Sequence, residues 1–169
     1  DAAAAPRALW VGSAAAAIDD APALPLDTWR WLEVRSGVPT IEAATVDRFV
    51  PQMLNYELVG GVDFAKGCYT GQEVVARSQY RGTIKRRMFL FDVAAEARPG
   101  QELFHSADPG QPAGLVVNAA PGAAGGSRLL AEVKLATLDV GSLHLGAVDG
   151  PELRRAALPQ CLVGADQRG

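Results

Sequence analysis

One stretch of the chain, DFAKGCYTGQEVVARSQYRGTIKRR at residues 63–87, gathers a cysteine, flanking glycines and a cluster of cationic side chains. Cys68 sits just ahead of T-G-Q-E at residues 70–73. In this capping-box pattern, threonine and glutamate side chains satisfy each other's orphan backbone donors, so a helix is expected to begin there. Partial positive charge at a helix start, with Lys66 nearby, favours thiolate over thiol and makes Cys68 the candidate reactive thiol. Gly67 and Gly71 flank the Cys68, Tyr69 and Thr70 step, where they permit positive φ or close approach of a ligand to the backbone.

Within the stretch six cationic side chains, Lys66, Arg77, Arg81, Lys85, Arg86 and Arg87, stand against the carboxylates of Asp63 and Glu73. Exposed amides at a helix start plus that excess make an anion-accepting surface. Lys66, Arg77 and Arg81 bracket the cap and are its best candidates, whereas residues 85–87 are expected on solvated strand faces. Glu73 and Arg77 are spaced for an i,i+4 ion pair. Tyr69 and Tyr80 have rings that suit stacking on a planar ligand, but core filling is the expectation for each alone.

The elements that must position this segment divide the chain at about residue 80. PRALWVGS, residues 6–13, reads as a short buried strand, and the connection after it has room for a short helix. Asp27 is expected to cap the helix TWRWLEVRSG, with Trp29 and Leu32 on one face and Gly37 and Pro39 at its exit. Trp29 and Trp31 are expected to pack against a sheet. Residues 40–61 read as a structured loop interrupted by Pro51 and ended by Gly60 and Gly61; loops of such length usually bind something or wrap a core. Val74 and Val75 are expected near the core.

From Thr83 onward six short apolar runs alternate with turn sequences such as ARPG, ADPGQP, PGAAGGS and DVGS, a pattern that predicts antiparallel strands in a small barrel or sandwich. PGAAGGS reads as a mobile tip. The expected fold is α+β: a partial mixed α/β domain over residues 1–80, then a small antiparallel β-barrel over residues 81–169.

The 169 residues are 49% hydrophobic and 21% charged, ordinary values for a globular protein. A net charge of −3 disfavours a chain-wide electrostatic grip on nucleic acid or anionic membrane. No apolar run approaches the roughly 20 residues that span a bilayer. Cys68 and Cys161 are far apart and in no C-x-x-C arrangement, so a zinc site, an all-protein iron–sulfur site and a disulfide framework are all unpromising, and a reducing, cytoplasmic setting is expected. His105 and His144 lack carboxylate or cysteine companions at ligand spacing, so no metal site is expected. The chain begins with Asp1, which suggests numbering that starts inside a longer gene product.

KGCYTGQE, residues 66–73, resembles the signature of the YgfZ family of folate-binding proteins, relatives of the glycine cleavage system T protein, an aminomethyltransferase. The resemblance extends through GVPTI, FVPQMLNYELVGGVDFAKG and EVVARSQYRGTIKRR, covering roughly residues 29–87. It implies a GcvT-like folate-binding domain over the first part, a ring of three domains around a central channel, and tetrahydrofolate or a one-carbon-substituted folate as cofactor. It implies Lys66 and Cys68 at the folate channel, with Gly67, Tyr69, Gly71, Gln72, Glu73 and Arg77 at the remaining matched positions. The implied function is assistance to iron–sulfur cluster synthesis or repair, with indirect effects on tRNA modification. The implied partners are folate, iron–sulfur enzymes or assembly proteins, and an N-terminal half, since the chain looks like the C-terminal half only. Whether such a protein is an enzyme stays open. The alternative function is a folate-dependent aminomethyltransferase or other one-carbon transferase, although the T protein has no cysteine in the corresponding stretch. A further alternative is an interaction module in which Cys68 is a packed residue.

Overall fold

The computed structural model describes residues 10–13, 22–80, 84–122 and 125–159. Arg81, Cys161, the connection after residue 13 and the centre of the PGAAGGS tip lie outside the described residues. Among the described residues the chain forms an α+β fold in which two α-helices and three 3-10 turns accompany one six-stranded antiparallel sheet.

Helix α1 spans Leu26–Ser36. It starts one residue before Asp27, with Pro25 at the cap and no side-chain capping bond, so Asp27 falls in the first turn. Proline offers a preset φ there, and the carboxylate still favours the positive end of the helix from its first turn. The exit behaves as expected: Gly37 takes the left-handed conformation at φ 70°, and its N–H closes on the Val34 carbonyl at 3.2 Å. Val34 is the residue of α1 that is buried. Trp31 packs at the edge of the core under the guanidinium of Arg35, 4.3 Å from its ring centroid, whereas Trp29 stays 45% exposed. Only Trp31 meets the expectation of sheet packing, because residues two apart on a helix are about 200° apart around it.

Strands β1 (Arg86–Val93), β2 (Glu102–His105), β3 (Asp108–Pro121), β4 (Ser127–Lys134), β5 (Leu143–Leu145) and β6 (Leu153–Ala156) fall on the six apolar runs in order. ADPGQP, however, is not the expected turn: the chain reverses at Ser106 and Ala107, and residues 108–112 belong to β3, paired irregularly with Phe104 and His105. Their order is β5-β2-β3-β4-β1-β6. The sheet curls as a half-barrel: His144 on one outer strand bridges Glu152, just before the other outer strand, and Leu145 N–H donates to Pro151 O at 2.9 Å. Side chains alternating along β1 enter two cores. Phe89, Phe91 and Val93 join Leu103, Val116, Leu129 and Val133, while Met88 and Leu90 meet Val117 and Leu130 of the sheet, Val34 from α1 and Leu54 from the long loop. Both faces of the central strands are therefore covered, which explains their near-continuous burial. Val117 is an extra residue between Val116 and Asn118, whose partners Ala131 and Leu130 are consecutive, a bulge that divides β3 between the two clusters.

Residues 40–61 are a structured loop, as expected, built on the 3-10 turns Ala43–Thr45 and Pro51–Leu54. The amide of buried Asn118 fixes its start. Its Oδ1 accepts from Thr40 N–H at 2.9 Å, while its Nδ2 donates to Thr40 O at 2.8 Å and to Glu42 Oε1 at 2.9 Å. Tyr56 donates its hydroxyl to Pro39 O at 2.9 Å, and burial pushes its phenol above the ordinary range. The expected strand at residues 6–13 is overturned where it is described: residues 10–13 have no strand structure, and Val11 is 84% exposed. A buried strand needs a neighbour for its backbone groups, and among the described residues none pairs with it.

Candidate functional site

The candidate segment follows Gly60, whose φ of 74° ends the long loop. It runs as an irregular surface chain to Gly71. Asp63 opens it with an Asx turn, its Oδ1 accepting from Ala65 N–H at 2.8 Å. Cys68 is a free, exposed thiol, and Lys66 and Gly67 beside it are exposed as well. Lys66 Nζ stands 4.7 Å from the ring centroid of half-buried Tyr69, so this cation, two residues before Cys68 in the chain, is held over a π face. Gly71 turns the chain at φ 84°, and Gln72 N–H donates to Tyr69 O at 3.2 Å. A side chain at Gly71 would meet nothing within 4 Å, so the requirement for glycine there is conformational. Gly67 has neither a positive φ nor a close neighbour; its expected role in permitting a turn is not what the backbone uses, and the space above it is open.

Helix α2 spans Gln72–Tyr80. The expected capping box does not form: among the described residues Thr70 and Glu73 exchange no hydrogen bonds. The cause is Gly71, whose left-handed backbone occupies the cap position and moves Thr70 one residue outside it. Glu73 and Arg77 are both exposed and make no ion pair with each other, as long side chains in water gain little from one. Val75 is buried at 6% exposure, but Val74 points outward at 54%, since one helix touching a single turn buries one strip. Tyr80 is 75% exposed and meets Phe64 edge to face at 6.5 Å, a contact that ties the end of α2 back to the segment before Lys66. The expectation that Tyr80 fills the core is thereby overturned.

The structure thus brings Lys66, Cys68 and Tyr69 together on one exposed turn, with Gln72, Glu73 and Arg77 on the helix that follows. Arg86 and Arg87 are not solvated strand cations. Arg86 grips Glu132 through Nε and through Nη2, the latter at 3.0 Å from Oε2. Arg87 donates to Glu57, to Asn55 Oδ1 at 3.2 Å and to the Gln52 carbonyl at 3.1 Å. Lys85 remains exposed as expected.

Sequence reasoning passed over Gln52, Asn55 and Glu57, which underlie the segment. Gln52 is fully buried and donates from Nε2 to Val75 O on α2 at 2.7 Å. Asn55, left-handed at φ 60°, donates to Met88 O on β1 at 2.8 Å. The signal was present as polar residues inserted at fixed places in the apolar stretch FVPQMLNYELV, where buried polar groups must find partners. Among the described residues no three His, Cys, Asp or Glu side chains are placed to hold a metal ion, and no helix is long and apolar enough to cross a membrane.

No family model matches the chain. Over 71 residues, 42% of this chain, it is 45% identical to the tRNA-modifying protein YgfZ of Edwardsiella ictaluri (strain 93-146). The match covers 22% of that relative's length. Over that stretch the chain is thus similar to a YgfZ protein, of whose length it spans about a fifth.

Proposed function

We propose that this chain forms the folate-contacting part of a YgfZ-like protein that supports iron–sulfur cluster enzymes and, through them, tRNA modification. The observation that carries the proposal is the exposed thiol of Cys68 beside a lysine held over Tyr69. A relative bearing the name of a tRNA-modifying protein supports the biological setting. The residues suit a reduced folate: Lys66 and Arg77 are accessible cations for the carboxylates of its glutamate tail, and the open ring of Tyr80 offers a face for a flat pterin. A bound tetrahydrofolate would supply a carrier for one-carbon units, while the protein side chains bind and orient it. Cys68 stands where a thiol can meet the ligand. The rest of the pocket comes from an N-terminal half of the same protein, and cluster enzymes or their assembly proteins are the partners.

The test is calorimetric titration of the full-length gene product with tetrahydrofolate, alongside complementation of a cluster-dependent tRNA-modifying enzyme in cells. Lys66→Ala should weaken folate binding about tenfold through loss of a charge-assisted contact. Cys68→Ser should bind folate within about twofold of wild type, since serine is close in size to cysteine and the position is open to solvent, yet fail to complement because the nucleophilic sulfur is gone. A wild-type protein that binds no tetrahydrofolate, or a Cys68→Ser variant that complements fully, overturns the proposal.

A further inference from the structure

Helix α2 carries Gln72, Glu73 and Arg77, yet it has only nine residues. Isolated helices shorter than about 12–15 residues are marginal in water, so α2 depends on what it packs against. Val75 is its buried residue. The described side-chain bond that reaches α2 from another element comes from Gln52, whose Nε2 donates to Val75 O at 2.7 Å. A carbonyl has two lone pairs, so Val75 O can take this bond together with a helical one.

Gln52 is itself braced from the sheet. It lies in the Pro51–Leu54 turn, its side chain is 0% exposed, and its carbonyl accepts from Arg87 on β1 at 3.1 Å. Arg87 is held in turn by Asn55 and Glu57, and Asn55 is tied to β1 through Met88 O. A continuous line of bonds therefore runs from β1 through Arg87 and Gln52 into the middle of α2. The other end of the Gln52 amide, Oε1, is buried without a partner among the described residues. An apolar side chain of the same size would avoid that cost, so the amide is retained for its donor end.

We propose that Gln52 is a positioning residue: by donating to Val75 O it fixes α2, and with it the turn bearing Lys66 and Cys68, against the sheet. Its consequence for ligand binding rests on the folate reading above; the anchoring itself does not. Removing the donor should release α2 locally and leave the sheet intact.

Hydrogen exchange followed by mass spectrometry, on the full-length protein, reads this directly. Gln52→Met keeps the length and removes the donor. Amides of α2 should then exchange about tenfold faster, the value of one buried hydrogen bond, while those of β1, β3 and β4 stay at the wild-type rate. Unchanged protection of α2, or an equal loss across the sheet, overturns the proposal. Gln52→Glu adds a readout that simple damage to packing would not move. A protonated carboxyl can donate to Val75 O and a carboxylate cannot, so protection of α2, corrected for intrinsic exchange, should fall as pH rises through the ionisation of that buried group. A flat profile in this variant also overturns it. If wild type binds tetrahydrofolate, Gln52→Met should weaken that binding by a similar factor. A wild type that binds none, with α2 released selectively in the Met variant, refutes the folate reading and leaves the anchor standing.

Discussion

Replacing Arg86 by methionine puts the energetics of this sheet to the sharpest test. Glu132 lies on β4, an interior strand between β1 and β3, and its side chain is 3% exposed. Its compensation is Arg86, which binds both carboxylate oxygens and also donates to Ala113 O at 3.4 Å. Breaking a buried ion pair from one side typically costs about 3–5 kcal/mol, because the remaining charge stays desolvated. The Arg86 side chain is 29% exposed, so water can reach the gap from that side. The expected cost of Arg86→Met is therefore reduced below that range, to about 2–3 kcal/mol. Adding Glu132→Gln removes the stranded charge and should recover about half of that loss. Urea unfolding followed by tryptophan fluorescence measures both, with the denaturant slope unchanged if only stability has moved. A single variant costing less than about 1 kcal/mol, or a double variant losing the sum of both singles, refutes the assignment of Glu132 as a buried charge that Arg86 compensates.

Arg128 holds the Asp92 carboxyl below its ordinary range, chiefly by hydrogen bonds at 2.7 and 2.9 Å. A depressed folded-state value adds stability above the unfolded carboxyl's ionisation, and that stability is lost as pH falls through the folded value. Urea midpoints of wild type and Asp92→Asn should therefore differ most near neutrality and converge as pH falls below the depressed Asp92 value. Gly126 has φ 68°, and a Cβ there would lie 2.1 Å from Val93 O, so Gly126→Ala should lower the melting temperature by several degrees, a cost of more than about 1 kcal/mol. Asn118→Ala removes three bonds to residues 40–42; exposed Thr40 recovers some of them from water, so a loss of about 2 kcal/mol is expected by urea unfolding.

The sheet was legible because its strands carry apolar runs separated by turn sequences, and all six runs became strands, although the ADPGQP turn was absorbed into β3. What escaped was everything decided by distant partners. Arg86 and Arg87 at the head of β1 look like solvated charges until Glu132 and Glu57, 46 and 30 residues away, are placed beside them. Gln52 and Asn118 look like polar interruptions, and their roles follow only from backbone groups 23 and 78 residues distant. The turn at residues 66–73 was legible in composition, as a thiol with a cation near it in the chain, but the exposure of that thiol came only from the structure, and the helix start was misassigned. Threonine and glutamate spacing suits a capping box, whereas Gly71 adopts a conformation that only its neighbours' geometry reveals.

The contact between His144 and Glu152 has a bearing on how this protein behaves at high concentration. Open β-sheets invite copies of themselves to add at their flanks, which is the usual start of fibrous association. Here the flanking strands are three and four residues long, and the link between them occupies backbone groups that would otherwise recruit a second molecule. Growth of the sheet from molecule to molecule is thereby blocked at the place where it would begin.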